Sequence, residues 1–264
     1  MNLQLDGAVA IVTGAGGGIG LAIARVLASE GAHVAIADIN ALAAEKAASA
    51  LKGTAVCMNV ADRASVEDGL ALVADRLGQI NILINNVGLT LPDYLCDVQD
   101  ADVDRTCAVN IRGPINTTRA IVPFLKESQW GRLIYISSSS GLKPSAGLSL
   151  YSASKSFVHG LAIAAGLELG GHGVTANVVC PSDVYPGGST PAGSWHSQKL
   201  IDLSLAKENA RDFDDLKAKR LGRIPVGRHC SEEDVAHLVA FLASPCASFI
   251  NAQIIGVNGG AVPH

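Results

Sequence analysis

Short apolar runs alternate with longer helical patterns along the whole chain. Val9-Ala10-Ile11-Val12 and Ile82-Leu83-Ile84 are continuously apolar and have no polar face. Strands that are buried on both faces have this pattern, which predicts a parallel sheet with helices on either side. The predicted strands are Ala8–Val12, His33–Asp38, Thr54–Val60, Ile80–Asn85, Leu133–Ser137, Val174–Cys180 and Ile254–Asn258.

The segments between these runs are rich in Ala and Leu, which favour helix. Ser231 precedes three acidic residues and is therefore a predicted helix N-cap. Strand and helix alternate without a linker or repeat, which predicts a single domain over residues 1–264, an α/β fold with a doubly wound, mostly parallel seven-stranded sheet. The predicted helices are Gly18–Glu30, Ala41–Leu51, Arg63–Leu77, Asp100–Lys126, Tyr151–Leu169 and Ser231–Ala243.

The segment from Pro181 to Pro225 breaks this alternation. It begins with prolines and glycines and continues as a polar helical stretch over about 194–220. Because the insertion is too long for an ordinary connection, we expect a functional lid at about 183–225. Basic and acidic residues interleave in its second half, which favours a solvated helix over a clamp for a carboxylate or coenzyme A.

Composition narrows the class of protein. Hydrophobic residues make up 48% of the 264 residues and the formal net charge is −4. A mildly acidic chain lacks the charge of a nucleic-acid binder, and no apolar run reaches the ~20 residues of a membrane span. The N-terminus does not resemble a secretory signal, and six scattered cysteines suggest free thiols in a reducing cytosol. We expect a cytoplasmic protein with no metal site, no nucleic-acid partner and no membrane partner.

A glycine-rich turn follows the first predicted strand and leads into a helix. Such a turn brings backbone amides and a helix N-terminus onto a pyrophosphate, and glycine allows the close approach. The turn alone is weak support, but it opens a strand–helix–strand unit, as this mechanism requires. The candidate cofactor-binding residues are Gly14, Gly16, Gly17, Gly18, Ile19 and Gly20.

Asp38 ends the second predicted strand, 18 residues after Gly20. A carboxylate at this point can accept hydrogen bonds from both adenosine ribose hydroxyls and would repel a 2′-phosphate. The residue before Gly18 is Gly17 and not a basic residue, which also favours NAD over NADP. The alternative for Asp38 is a turn aspartate before Asn40.

Ser138, Tyr151 and Lys155 form the strongest constellation of reactive side chains. Tyr151 and Lys155 are four residues apart, which places them on one helix face. A nearby ammonium favours the phenolate and is expected to lower the pKa of Tyr151 towards the range of a general acid/base. Ser138 lies at the end of a predicted strand, where open α/β sheets bind ligands. The alternative for Tyr151 is an amphipathic tyrosine near a helix start.

Taken together, these motifs resemble the short-chain dehydrogenase/reductase family of the classical type. The glycine turn, Asn85-Asn86-Val87-Gly88, Asn110, Ser138 and Tyr151-x-x-x-Lys155 follow that family's order and spacing over about 5–260. The resemblance implies a Rossmann-like fold, bound NAD and interconversion of a secondary alcohol and a ketone by hydride transfer. It also implies a homotetramer.

The resemblance implies roles by position. Tyr151 would exchange the proton with the substrate oxygen, Lys155 would also hold the nicotinamide ribose, and Ser138 would polarise the C–O group. Asn110 would support a water on the proton path, and the alternative is a helix-interior amide that bonds backbone. The residues expected along the cofactor, in addition to the glycine turn, are Asp38, Ile39, Asn59, Val60, Asn86, Val87, Gly88, Tyr151, Lys155, Pro181 and Val184.

Four positions depart from the family pattern. Asn59-Val60 stands where Asp-Val is commoner, and Val87 replaces the usual Ala. Pro181-Ser182 replaces Pro-Gly. Pro186 occupies the position of a cofactor-binding Thr, for which residues 189–190 are candidate substitutes.

Two alternatives to a simple alcohol dehydrogenase stay open. A 3-oxoacyl thioester reductase shares every motif above, and a non-catalytic cofactor-binding protein is the second alternative. We expect His159 to be packed or interfacial, and His196 to be a surface residue or a substrate contact. The small-molecule substrate is predicted to have an apolar body, because the expected pocket residues are Leu89, Leu91, Tyr94, Leu142, Leu148, Tyr185 and Trp195.

Overall fold

A computed structural model describes residues 2–185 and 197–263 of the chain. Within these ranges, seven parallel strands form one sheet in the order β3-β2-β1-β4-β5-β6-β7. The doubly wound fold class predicted from the sequence is confirmed, and the sheet is parallel throughout. The strands are β1 Val9–Thr13, β2 His33–Asp38, β3 Thr54–Cys57, β4 Ile80–Asn85, β5 Gly131–Ile136, β6 Val174–Pro181 and β7 Ile254–Val257.

Helices connect the strands and cover both faces of the sheet. Asn40, Asp62 and Ser231 cap three of them by accepting a hydrogen bond from a first-turn amide. The helices are α1 Gly18–Ser29, α2 Ala41–Leu51, α3 Arg63–Leu77, α4 Asp100–Thr106, α5 Gly113–Ser128, α6 Ser139–Leu142, α7 Ser149–Leu169, α8 Gln198–Glu208, α9 Phe213–Leu221 and α10 Glu232–Ala243.

The alternating side chains of the strands form two cores, one on each face of the sheet. Ala10 and Val12 of β1 pack in the core that α1, α2 and α10 cover. Val9 and Ile11 point the other way, into the core beneath α3, α5 and α7. Every residue of β1, β4, β5 and β6 is buried, which explains why their sequences have no polar face.

Three predicted elements differ from the observed ones. The third strand ends at Cys57 and not at Val60, because the chain turns there towards α3. The long helix predicted over 100–126 contains a π-helical turn, Cys107–Arg112, between α4 and α5. The polar stretch of the expected lid is two helices, because Asn209 takes a left-handed conformation at the end of α8 and Asp212 caps α9.

The described residues also bear on membrane insertion, metal binding and the state of the cysteines. No helix there is long and apolar enough to cross a membrane. The same residues contain no group of three or more His, Cys, Asp or Glu side chains placed to hold a metal ion. All six cysteines are free thiols, and of these Cys180 is buried.

Candidate active site

A cleft of about 450 Å³ opens at the carboxyl ends of the strands. It lies where the strand order reverses, between β1 and β4, which is where open parallel sheets bind ligands. Most of the residues predicted for the site line this one cleft. They are Gly14, Gly18, Ile19, Asp38, Ile39, Asn59, Val60, Asn86, Val87, Gly88, Ser138, Tyr151, Lys155, Pro181 and Val184.

Other predicted residues lie near the cleft without lining it. Gly20 is buried behind the glycine turn, while Gly16 and Gly17 form its outer part. Asn110 is buried at 2% exposure behind the loop that follows β4. Pro186, the two candidate substitutes at 189–190, Trp195 and His196 lie outside the described residues.

The glycine turn depends on backbone conformations and distances that side chains would block. Gly14 and Gly18 have φ angles of +64° and +55°, which disfavour other residues. A Cβ atom on Gly20 would lie 2.4 Å from the carbonyl oxygen of Gly14. Asn86 fixes the turn against β4, because its Nδ2 donates to the carbonyl oxygens of Thr13 (2.9 Å) and Gly14 (3.2 Å).

Asp38 is held in place at one end of the cleft. Its Oδ2 accepts the Gly16 amide at 3.0 Å, and its Oδ1 accepts the Asn40 amide at 2.9 Å. It therefore combines the two sequence interpretations, since it braces the turn before Asn40 and also lines the cleft. Ile39, the next residue, is 68% exposed and offers an apolar surface at the same end.

Tyr151 lies at the other end of the cleft, on the first turn of α7. Its phenol hydrogen-bonds with the hydroxyls of Ser138 and Thr90. Burial raises the pKa of Tyr151 above its ordinary value, and the bonds to Ser138 and Thr90 only partly offset this effect. The expectation of a lowered pKa is therefore wrong for the protein as described, because desolvation of the phenolate outweighs the groups that favour it.

Lys155 lies one helical turn further along α7 and is 5% exposed. Its Nζ donates to the carbonyl oxygen of Ile136 at 2.8 Å and lies 5.8 Å from the centre of the Tyr151 ring. Burial lowers the pKa of Lys155 to about 8. Gly88 leaves room for this ammonium group, since a Cβ there would lie 2.9 Å from Nζ.

The side chains of the consecutive serines after β5 point to two different sides of the chain. Ser138, the N-cap of α6, hydrogen-bonds with Tyr151. Ser137 instead donates to the carbonyl oxygen of Lys155 at 2.9 Å, and His159 Nε2 lies 2.9 Å from the same hydroxyl. His159 also lies 3.6 Å from the Cys180 thiol. It is thus packed behind the site, as expected, and Ser138 is the serine that faces the phenol.

Asn110 joins two walls of the cleft from behind. It lies in the π-helical turn and makes a pair of 2.8 Å hydrogen bonds with the backbone N–H and C=O of Leu89. Its Nδ2 also donates to Ser154 at 2.9 Å, and the Ser154 hydroxyl donates to the carbonyl oxygen of Tyr151. These bonds match the structural alternative, and a part for Asn110 in the proton path stays a prediction.

The substrate end of the cleft is more polar than predicted. Among the apolar residues expected there, Leu148 lines the cleft, while Tyr185 packs against Phe213 and His229. The lid helices also bring charged and hydroxyl groups to this wall, and the apolar body expected for the substrate stays a prediction. The lining residues of the whole cleft that sequence reasoning missed are Met58, Thr90, Val109, Ile136, Ser137, Ser140, Asp183, Leu200, Ser204, Arg220 and Glu232, and the last of these lies beside the glycine turn. Asp183 had a signal, since it lies two residues after Pro181.

The donor set fits a dinucleotide. The glycine turn forms a cradle of bare backbone that side chains would fill, and Asp38 lies at one end of the cleft beside it. The buried ammonium of Lys155 and the phenol of Tyr151 lie at the other end. A carboxylate, a cradle of bare backbone, an ammonium group and a phenol thus lie along one continuous cleft.

Comparison with known proteins identifies the family. The short chain dehydrogenase family matches residues 8–196, and an enoyl-(acyl carrier protein) reductase family matches residues 197–262. The chain belongs to the short-chain dehydrogenase/reductase family, as the motifs predicted.

Individual relatives cover the whole length of the chain. The chain is 33% identical to the 3-oxoacyl-(acyl-carrier-protein) reductase FabG of Thermotoga maritima, over 98% of this chain and 100% of the relative. It is 34% identical to the sorbitol dehydrogenase of Cereibacter sphaeroides, over 98% of each. A solved structure of NAD+-bound xylitol dehydrogenase superposes with a TM-score of 0.89 at 26% identity, over 97% of this chain and 100% of that one.

Proposed function

We propose that the protein is an NAD-dependent oxidoreductase that interconverts a secondary alcohol and a ketone. The observation that carries this proposal is the grouping of Ser138, Tyr151 and Lys155 at one end of a cleft whose other end holds Asp38. The set combines a hydroxyl, a phenol and an ammonium group, which are the groups needed to polarise a C–O bond and move its proton.

Tyr151 is the proposed acid/base. When bound, NAD supplies the hydride acceptor or donor. In reduction, the protonated phenol gives its proton to the substrate oxygen while Ser138 holds that oxygen. In oxidation, the phenolate takes the hydroxyl proton, the substrate C–H bond breaks with its electron pair and the C=O bond forms. Burial favours the protonated phenol, so we expect the phenolate to depend on positive charge from Lys155.

Asp38 is the basis for proposing NAD over NADP. Both of its oxygens are fixed by backbone amides at the end of the cleft, so the carboxylate cannot turn away freely. A 2′-phosphate placed beside it would meet a negative charge, whereas ribose hydroxyls would donate to it.

Reduction of a 3-oxoacyl thioester is the second candidate, and the identity to FabG favours it. Within the described lid residues 197–225, the basic side chains other than that of Lys207 are paired with carboxylates, which leaves little free basic surface for an acyl carrier. Lys199 pairs with Asp93, Arg211 and Lys219 pair with Asp215, and Lys217 pairs with Asp214. For this reason we favour a free secondary alcohol or ketone. The intact set of reactive groups also argues against a purely cofactor-binding protein.

We further propose a cytoplasmic homotetramer. Leu167 on α7 is 73% exposed and Phe249 is fully exposed, although both are large apolar side chains. Contact between copies of the chain would remove them from water, and closed symmetric assemblies are the usual form of such contacts.

The Tyr151→Phe variant tests the acid/base assignment. Removal of the phenol oxygen leaves the ring in place, so we expect unchanged NAD binding and a loss of most turnover. Cofactor fluorescence measures the first quantity, and NADH formation with secondary alcohols measures the second. A Tyr151→Phe enzyme with near wild-type turnover would refute the assignment.

A further inference from the structure

The substrate wall of the cleft contains an ion pair that the proposed reaction does not use. Arg220 Nη1 on α9 donates to Asp183 Oδ2 at 2.7 Å, and its Nε donates to Glu208 Oε1 at 2.8 Å. Asp183 and Arg220 both line the cleft. Asp183 lies two residues after the end of β6, and the amide of the intervening Ser182 donates to the carbonyl oxygen of Val257 in β7 at 3.0 Å.

The exposed part of this pair is negative. The Asp183 side chain is 41% exposed, whereas that of Arg220 is 17% exposed. The guanidinium is shared between two carboxylates, and Glu208 is itself 6% exposed and also pairs with Arg223 at 3.0 Å. The two arginines and two carboxylates balance in charge, and the Asp183 carboxylate, as the more exposed member of its pair, is the hydrogen-bond acceptor that the cleft presents to a substrate.

Several hydroxyl-bearing residues line the same cleft as this carboxylate. Thr90, Ser140 and Ser204 line the substrate end, and Ser204 is 6% exposed. The Ser182 hydroxyl is buried without a hydrogen-bond partner among the described residues. Hydroxyls donate and accept, whereas an ionised carboxylate only accepts. A ligand that matches this wall must carry several groups that can donate hydrogen bonds.

We propose that Asp183 recognises a second hydroxyl of the substrate, so that the substrates are polyols and not simple secondary alcohols or hydroxy acids. The inference rests on the proposed function and specifies its substrate class. Asp183 accepts a hydrogen bond from a hydroxyl near the reacting carbon, while Ser138 and Tyr151 hold the reacting oxygen. A hydroxy acid would place a carboxylate, which cannot donate a hydrogen bond, against the carboxylate of Asp183, so we do not expect hydroxy acids as substrates.

The proximity of the two sites supports this arrangement. The negative charge of Asp183 acts on the Tyr151 phenol and is one of the influences that raise its pKa. Both residues also line the same cleft of about 450 Å³, so a small substrate held at the phenol can bring a second group to the carboxylate. The competing explanation is a purely structural one, in which the pair fastens α9 to the end of β6 and takes no part in recognition.

Matched substrate pairs distinguish recognition of the substrate by Asp183 from a purely structural role of the Asp183–Arg220 ion pair. The pairs are 2,3-butanediol with 2-butanol and sorbitol with 2-hexanol, each with NAD, and 3-hydroxybutanoate is the anionic probe. We expect the wild type to favour the polyol of at least one pair by 10-fold or more in kcat/KM. In Asp183→Asn, we expect a loss of about 10- to 100-fold for that polyol and less than 3-fold for its mono-alcohol. Activity with 3-hydroxybutanoate should rise.

Glu208→Gln is the control, because it weakens the lid side of the same network without lining the cleft. It should affect polyol and mono-alcohol alike. Ser204→Ala is a second variant, with an expected loss confined to the polyol. Equal losses for both substrates in Asp183→Asn, or a wild type that uses the mono-alcohols equally well, would overturn the inference and leave the proposed function intact. A wild type inactive on every alcohol would overturn the proposed function itself.

Discussion

Replacement of Lys155 by methionine should stabilise the folded protein at neutral pH while it removes activity. The ammonium group is buried, and desolvation lowers its pKa from 10.5 to about 8, with only a partial opposing influence from Cys180. In the unfolded chain, the same group is hydrated and titrates near its ordinary value. Folding at pH 7 must therefore bury a charge that prefers water.

The size of the effect follows from the two pKa values. A tenfold difference in proton affinity corresponds to ~1.4 kcal/mol, so the fall from 10.5 to about 8 destabilises the folded state by about 3 kcal/mol at pH 7. The methionine also leaves the carbonyl oxygen of Ile136 without its donor, which costs about 1–2 kcal/mol. We expect Lys155→Met to be more stable than wild type by about 1–2 kcal/mol at pH 7.

The sign of the effect should reverse as the pH rises. Above pH 8, the folded protein releases the proton before the unfolded chain does, so the destabilisation declines through the window from pH 8 to 10.5. It falls to about 1 kcal/mol at pH 10, where loss of the bond to Ile136 makes the variant the less stable protein. Urea unfolding at fixed protein concentration, measured from pH 7 to pH 10, gives the difference directly.

Lys143→Met is the matched control, because Lys143 is exposed and does not line the cleft. Its stability difference from wild type should stay small and should not follow the same pH dependence. If the difference in the free energy of unfolding between Lys155→Met and wild type stays constant across this pH range, burial of the ammonium does not destabilise the folded protein.

Three further changes test other parts of the molecule. Asp38→Ala should weaken NAD binding about 10-fold or more and reduce discrimination against NADP in fluorescence titrations, and a wild type that prefers NADP would contradict this. Gly20→Ala places a Cβ 2.4 Å from the Gly14 carbonyl oxygen, so calorimetry should find a loss of NAD affinity of at least 100-fold. An affinity near that of the wild type would contradict this prediction. Leu167→Glu and Phe249→Glu should lower the mass measured by light scattering, whereas a monomeric wild type would disprove the proposed assembly.

The fold was predictable because the relevant signals are local. Continuous apolar runs such as Ile82-Leu83-Ile84 have no polar face, and only strands buried on both sides explain them. The glycine turn and the Tyr151–Lys155 spacing were predictable for the same reason, since each is a pattern within a few residues, and Asp38 was predictable from its place at the end of the next strand, 18 residues after Gly20. The reason that position 20 requires glycine is not visible in the sequence, because it is the close approach of the folded chain to the backbone of Gly14.

The substrate wall was not predictable, because its residues come together only through the tertiary structure. Arg220 lies in a stretch of alternating charges that is typical of a solvated helix, yet it reaches Asp183, 37 positions earlier. The pKa of Tyr151 was also predicted wrongly. The sequence displays the neighbouring ammonium, whereas desolvation, the main cause of the raised pKa, depends on how the cleft is enclosed.

Hydrogen bonds between β1, its glycine turn and the end of β4 must form before this turn can bind a nucleotide. The Thr13 hydroxyl donates to the carbonyl oxygen of Ile84, 71 residues away, and the side chain of Asn86 reaches back to the glycine turn. A newly made chain has no phosphate cradle until this distant pairing has formed. A dinucleotide can then bind only the finished protein, and at 100 times its dissociation constant it would add about 2.7 kcal/mol to the stability. A dinucleotide cofactor, if bound as proposed, would in this way extend the lifetime of the folded protein.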